Sequence, residues 1–143
     1  FSMQTFLPYA DFHASMRALD PKRLGNQVYR EALTLARGGW PNHPASKMWK
    51  GHEQSLCYYA LAGLDVLAER GREYPHHMDT FLSLCDSFPN TGPPTWLGNP
   101  RLHKSNQSNL LRKDPIYYGQ FSWDVADDLP YWWPTNEQKK PGE

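Results

Sequence analysis

Proline follows directly on a helix-capping side chain at three points in this chain: Asp20-Pro21, Asn99-Pro100 and Asp114-Pro115. An Asp or Asn side chain can take up the free N–H groups of a first helical turn. Proline at the next position has its φ already set for a helix and no N–H to leave unsatisfied. Each pair therefore predicts a helix start. Pro44 and Pro75 predict two more, and Gly38-Gly39, Gly71 and Pro89 supply stops. The expected helices run from Pro21 to the Gly38-Gly39 stop, from Pro44 to about Arg70, and from Pro75 to Pro89, where Met78, Phe81, Leu82, Cys85 and Phe88 recur at helical spacing. Two shorter helices are expected to open at Pro100 and Pro115. No run of period-two alternation competes with them. The expected fold is all-α, a compact single-domain bundle of about three main helices plus short helices and ordered loops. The segment from Pro89 to Gly98 carries three Pro, two Gly and Trp96, and reads as an ordered loop pinned by its tryptophan.

A chain of 143 residues can bury one substantial core but not two. Phe1-Ser2 reads as a tag remnant ahead of a natural start at Met3, residues 3–133 as the single domain, and residues 134–143 as a polar tail. Cys57 and Cys85 each fall inside a helical apolar pattern, where buried free thiols are the ordinary reading, although a disulfide stays open. No stretch is apolar enough to span a membrane and no signal peptide is visible, so the reading is a cytoplasmic protein. Fifteen basic and fifteen acidic residues leave no overall field to steer a polyanion. The charge is uneven, however. Arg101, His103, Lys104, Arg112 and Lys113 fall in one stretch without an acid, and Asp114, Asp124, Asp127 and Asp128 follow it. Such a stretch can hold phosphates at short range or can simply be a solvated face.

The first long helix carries a carboxylate where its core face should be. At 100° per residue, Leu24, Val28 and Leu35 fall within about 40° of one another, and Glu31 lands among them. Arg23, Gln27, Arg30 and Thr34 lie on the adjoining strip, with Arg37 a little further round. Burial disfavours the charged form of such a glutamate and the arginines favour it, which is how active sites tune a proton-transfer group. A salt bridge from Glu31 to Arg23 or Arg30 would be the structural use of the same residues. The six His show no metal-ligand spacing, and no phosphate-binding or nucleophile-elbow motif occurs, so neither a metal nor a cofactor is expected.

Several short motifs, in order, resemble the pyrimidine-dimer DNA glycosylase family, whose best-known member is a phage endonuclease V. Tyr29-Arg30-Glu31 on the first long helix is similar to the family's aromatic-Arg-Glu with its catalytic glutamate. Asn42-His43-Pro44 and Gly51-His52 follow, and Tyr117-Tyr118-Gly119 is similar to the aromatic tail that lies against DNA. Arg23-Leu24-Gly25-Asn26-Gln27 and Ser108-Asn109-Leu110-Leu111-Arg112-Lys113 look like those of a bacterial and phage branch.

The resemblance implies a DNA repair enzyme, a glycosylase with coupled lyase (endonuclease) activity on pyrimidine dimers or another modified base. It would work as a monomer on damaged double-stranded DNA. The chain's first amine would attack C1′ of the damaged nucleotide and form an imine, a chemistry that needs no cofactor. Carried over, Met3 supplies the amine and Glu31 handles protons. Arg23, Arg30, His52, His103, Lys104, Arg112 and Lys113 meet DNA, with Tyr117 and Tyr118 beside them. Gln4 after Met3 departs from the family's small second residue, so Lys22 or Lys50 stands in reserve as the amine. Tyr117, Tyr118 and Trp123 could equally fill the core. A non-cleaving reader of distorted or modified bases on the same scaffold is the alternative; an RNA- or protein-interaction module is a third.

Overall fold

The computed structural model describes residues 4–134. Five of its helices open at a proline that the sequence marks. Helix α1 (Phe12–Ala18) opens at Asp11, whose carboxylate accepts from the Ala14 N–H at 2.8 Å. A continuous helical run follows, made of α2 (Pro21–Asn26), a π-helical turn (Gln27–Ala32) and α3 (Leu33–Ala36), with Asp20 as its N-cap. Then come α4 (Pro44–Trp49), α5 (Glu53–Glu69), α6 (Pro75–Ser87), α7 (Pro100–Lys113) and α8 (Pro115–Tyr118). Asn99 and Asp114 cap α7 and α8 through the N–H groups of Arg101 and Tyr117. Among the described residues there is no strand, and no helix is long and apolar enough to cross a membrane.

The all-α expectation holds, with three corrections. Helix α1 has a capping Asp but no proline and was not foreseen. The helix expected from Pro44 to Arg70 is two helices, because Gly51 takes φ 84° and turns the chain between α4 and α5. That conformation is open to glycine and strained for residues with a Cβ. Finally, α7 has 14 residues against 13 for α6, so it is a main helix and not a short one.

Helix α5 is the axis of the fold. Leu56, Cys57, Tyr59, Ala60, Leu64, Val66 and Leu67 are all buried along it, and α1, α6 and the π turn pack around it. Gly63 lets the π turn come close. A Cβ there would stand 2.6 Å from Val28 Cγ2 and 2.9 Å from Met16 Cε. Cys57 and Cys85 are buried free thiols, and burial pushes the Cys57 thiol up to about 12. Trp96 pins the loop between α6 and α7 as expected: it is buried, donates to the Met48 carbonyl at 2.9 Å and meets Trp49 edge-on.

Candidate active site

The π turn places Glu31 and its neighbours. Leu24, Val28 and Leu35 are buried, and Glu31 is buried with them at 5% exposure. One extra residue in the helical turn widens the backbone there, a distortion that occurs frequently at functional positions. Among the described residues the carboxylate meets one cation, the half-exposed Arg30, whose Nε lies 3.2 Å from Glu31 Oε2. Burial raises the Glu31 carboxyl above its ordinary range, and Arg30 offsets part of that rise. Both opposing influences expected from the helical wheel are present, with Arg30 as the partner. Arg23 instead pairs with Asp20 at 3.1 Å.

Residues 4–8, ahead of α1, are irregular yet buried, so their peptide groups need partners. Side chains supply them. Gln27 Oε1 accepts from the Phe6 N–H at 2.9 Å, and its Nε2 donates to the Gln4 carbonyl at 2.9 Å. The Tyr59 hydroxyl lies 2.7 Å from the Phe6 carbonyl and 2.8 Å from Gln27 Oε1. Trp49 Nε1 donates to Thr5 Oγ1. From α7, Asn106 Oδ1 accepts from the Leu7 N–H, the His103 ring meets the Leu7 carbonyl at 2.7 Å, and Gln107 Nε2 donates to the Pro8 carbonyl. This network holds Gln4 at the edge of a cleft of about 120 Å³ lined by Gln4, Phe6, Arg23, Asn26, Gln27, Glu31 and Lys113.

The cleft thus joins a buried carboxyl to a basic rim. Burial, Arg23 and Arg112 all lower the Lys113 ammonium from its ordinary value. The Tyr131 hydroxyl is buried without a hydrogen-bond partner among the described residues, near enough to Arg112 and Arg23 to feel their charges. Among the described residues no three His, Cys, Asp or Glu side chains come together in a metal-binding group.

The structure divides the expected site residues. Glu31, Arg23 and Lys113 share the cleft, with Arg30 bound to Glu31. Met3 lies outside the described residues, as does the polar tail beyond residue 134. His103 is buried and occupied at both ring nitrogens, by the Leu7 carbonyl and the Gly98 N–H. His52 stands before α5 and Lys104 is exposed on α7; neither lines the cleft. Arg112 reaches the carbonyls of Asp127 and Leu129 and the Asn109 side chain, strapping the chain after α8 onto α7. Tyr118 has no exposed surface and its hydroxyl bonds to Asp20, so it offers no face for a base. Tyr117 is half-buried, with its hydroxyl on the Leu19 carbonyl, and Trp123 stacks on Phe121.

Gln27 is the residue whose part sequence reasoning missed. The helical wheel sets it on the strip beside Glu31 and gives it no role of its own. Its signal was an uncharged amide next to a core stripe, where an interior partner is needed. Asn106 and Asn109 gave the same signal on α7.

A family model described as pyrimidine dimer DNA glycosylase matches residues 3–82. That span contains the buried segment from Gln4, the π turn and Glu31, and ends before α7. A search of curated proteins and one of solved structures found no match.

Proposed function

Since the chain belongs to the pyrimidine dimer DNA glycosylase family, we propose that it excises a damaged base from double-stranded DNA at the Glu31 cleft and nicks the strand through an amine–sugar imine. The observation that carries this reading is a buried carboxyl, raised by desolvation, beside the segment at Gln4 and Phe6 held in place by a dedicated network. In a chain that starts at Met3, one residue ahead of Gln4 on the cleft wall, the Met3 amine is the proposed nucleophile.

The chemistry needs only these groups and the DNA. The amine lone pair forms a bond to C1′ as the glycosidic bond breaks, and the base leaves with that electron pair. Glu31, whose carboxyl burial raises above its ordinary range, can supply the proton the base needs. Opening of the sugar ring, with a proton delivered to O4′, leaves an imine between C1′ and the amine nitrogen. Loss of a C2′ proton to the Glu31 carboxylate then expels the 3′ phosphate, and water releases the amine. Arg23 and Lys113 on the rim face the flanking phosphates, which gives binding a dependence on salt. A base can reach the cleft only outside the helical stack, and a dimer lowers the cost of extruding it.

The test is incubation with a duplex carrying one pyrimidine dimer and with the undamaged duplex of the same sequence. Nicking at the dimer alone is expected. Selective binding to the dimer duplex without base release or nicking would replace this proposal with the non-cleaving reader.

A further inference from the structure

Neither lysine held in reserve as an amine reaches the Glu31 cleft. Lys22 is exposed on α2, and Lys50 lines a separate depression with Glu53 and Ser46. The lysine that does line the cleft is Lys113, the last residue of α7. Its two cationic neighbours are engaged elsewhere, Arg23 with Asp20 and Arg112 with backbone carbonyls. Lys113 forms no ion pair with any described residue. An ammonium at a cleft edge next to two guanidinium groups loses its proton more readily, which favours a lysine as a nucleophile. A side chain needed only as a point charge for phosphate gains nothing from it.

We propose that Lys113 is a second imine-forming amine of this cleft, able to capture C1′ of an abasic deoxyribose while Glu31 moves the protons. This rests on the reading of the cleft as the excision site. The Nζ lone pair adds to the open-chain C1′ aldehyde. The carbinolamine then loses water as its hydroxyl takes a proton from Glu31, and a C=N bond to Lys113 remains. Borohydride reduces that bond to a stable secondary amine.

The experiment uses the full chain with its α-amine acetylated, an abasic-site duplex and borohydride. The blocked chain is expected to become linked to DNA, with the reduced sugar mapped to the peptide containing Lys113. Lys113→Arg, which keeps the charge and removes the nucleophile, should abolish linkage in the blocked chain. Linkage by the unblocked chain alone would overturn the role of Lys113 and leave the excision reading standing on the α-amine. Linkage that persists in blocked Lys113→Arg would also overturn it. No linkage by either chain, with no nicking of dimer-containing duplex, would overturn both proposals.

Discussion

The helical run from Pro21 to Ala36 and helix α7 both carry cations toward the Glu31 cleft, yet they are built on opposite plans. The first run buries an apolar stripe and interrupts it with one charge, Glu31, while Arg23 and Arg30 stay partly in water. Helix α7 buries His103, Ser105, Asn106, Ser108 and Asn109 and leaves its charges outside. Its polar residues face the interior because irregular backbone lies there. Asn106, His103 and Gln107 hold the segment at Leu7 and Pro8, and Ser108 accepts the Leu129 N–H. The comparison teaches that basic, polar composition alone does not make a DNA-facing surface. Most of α7 is a hydrogen-bonding frame for segments that cannot satisfy themselves, and Lys113 is the cation it delivers to the cleft.

This difference can be broken or sharpened by substitution. On α7, Asn106→Leu should leave the Leu7 N–H buried and unpaired, costing about 1–3 kcal/mol in urea unfolding. Lys104→Ala on the outer face should change stability by less than about 0.5 kcal/mol. Equal effects would refute the frame account. Opposite the frame, Gly63→Ala should cost about 1–3 kcal/mol by forcing Val28 and Met16 away from α5, read as a lower thermal midpoint. A neutral result would mean the π turn moves aside freely.

Adjacent residues at the end of α7 should then separate. Lys113→Ala is expected to flatten the salt dependence of duplex binding by about one phosphate, a slope change near 0.9, with little loss of stability. Arg112→Ala should do the reverse, lowering stability by about 1 kcal/mol through the freed carbonyls of Asp127 and Leu129 and leaving the slope nearly unchanged. If Arg112 carries the larger slope, the stretch acts as the uniform basic clamp read from sequence.

The smallest effect is a pH dependence. Glu31 has its folded value raised by burial above the ordinary 4.5, so the folded chain holds a proton that the unfolded chain has released. Its contribution to stability is therefore greatest below about 4.5 and is lost as pH rises through the folded value. The stability of the parent relative to Glu31→Gln should fall across that window. A constant difference would mean the carboxyl is not desolvated.

How much of this was legible follows from what each residue depends on. Helix starts at Asp20, Asn99 and Asp114 were readable because a cap and its proline are local chemistry. The burial of Glu31 was readable from its place among Leu24, Val28 and Leu35, since one helix face is set by periodicity. The break at Gly51 was passed over because a single glycine can sit inside a helix, and the positive φ that ends α4 is not visible in the sequence. Neither the π turn nor the task of Gln27 could be read locally, since both answer to the chain at Gln4 and Phe6, more than 20 residues away. Tyr118 looked like a stacking platform because an aromatic ring serves a core or a ligand equally well. Its hydrogen bond to Asp20, across 98 residues, decides for the core.

The central claim is that Glu31 moves protons at the sugar, and Glu31→Gln tests it most directly. The substitution is nearly isosteric, so the cleft and duplex affinity should persist. Single-turnover nicking of a dimer-containing duplex should fall by about 10²–10⁴-fold, the usual contribution of a general acid–base group. A loss of less than about tenfold with binding intact would contradict the account and leave Glu31 as the buried partner of Arg30 alone.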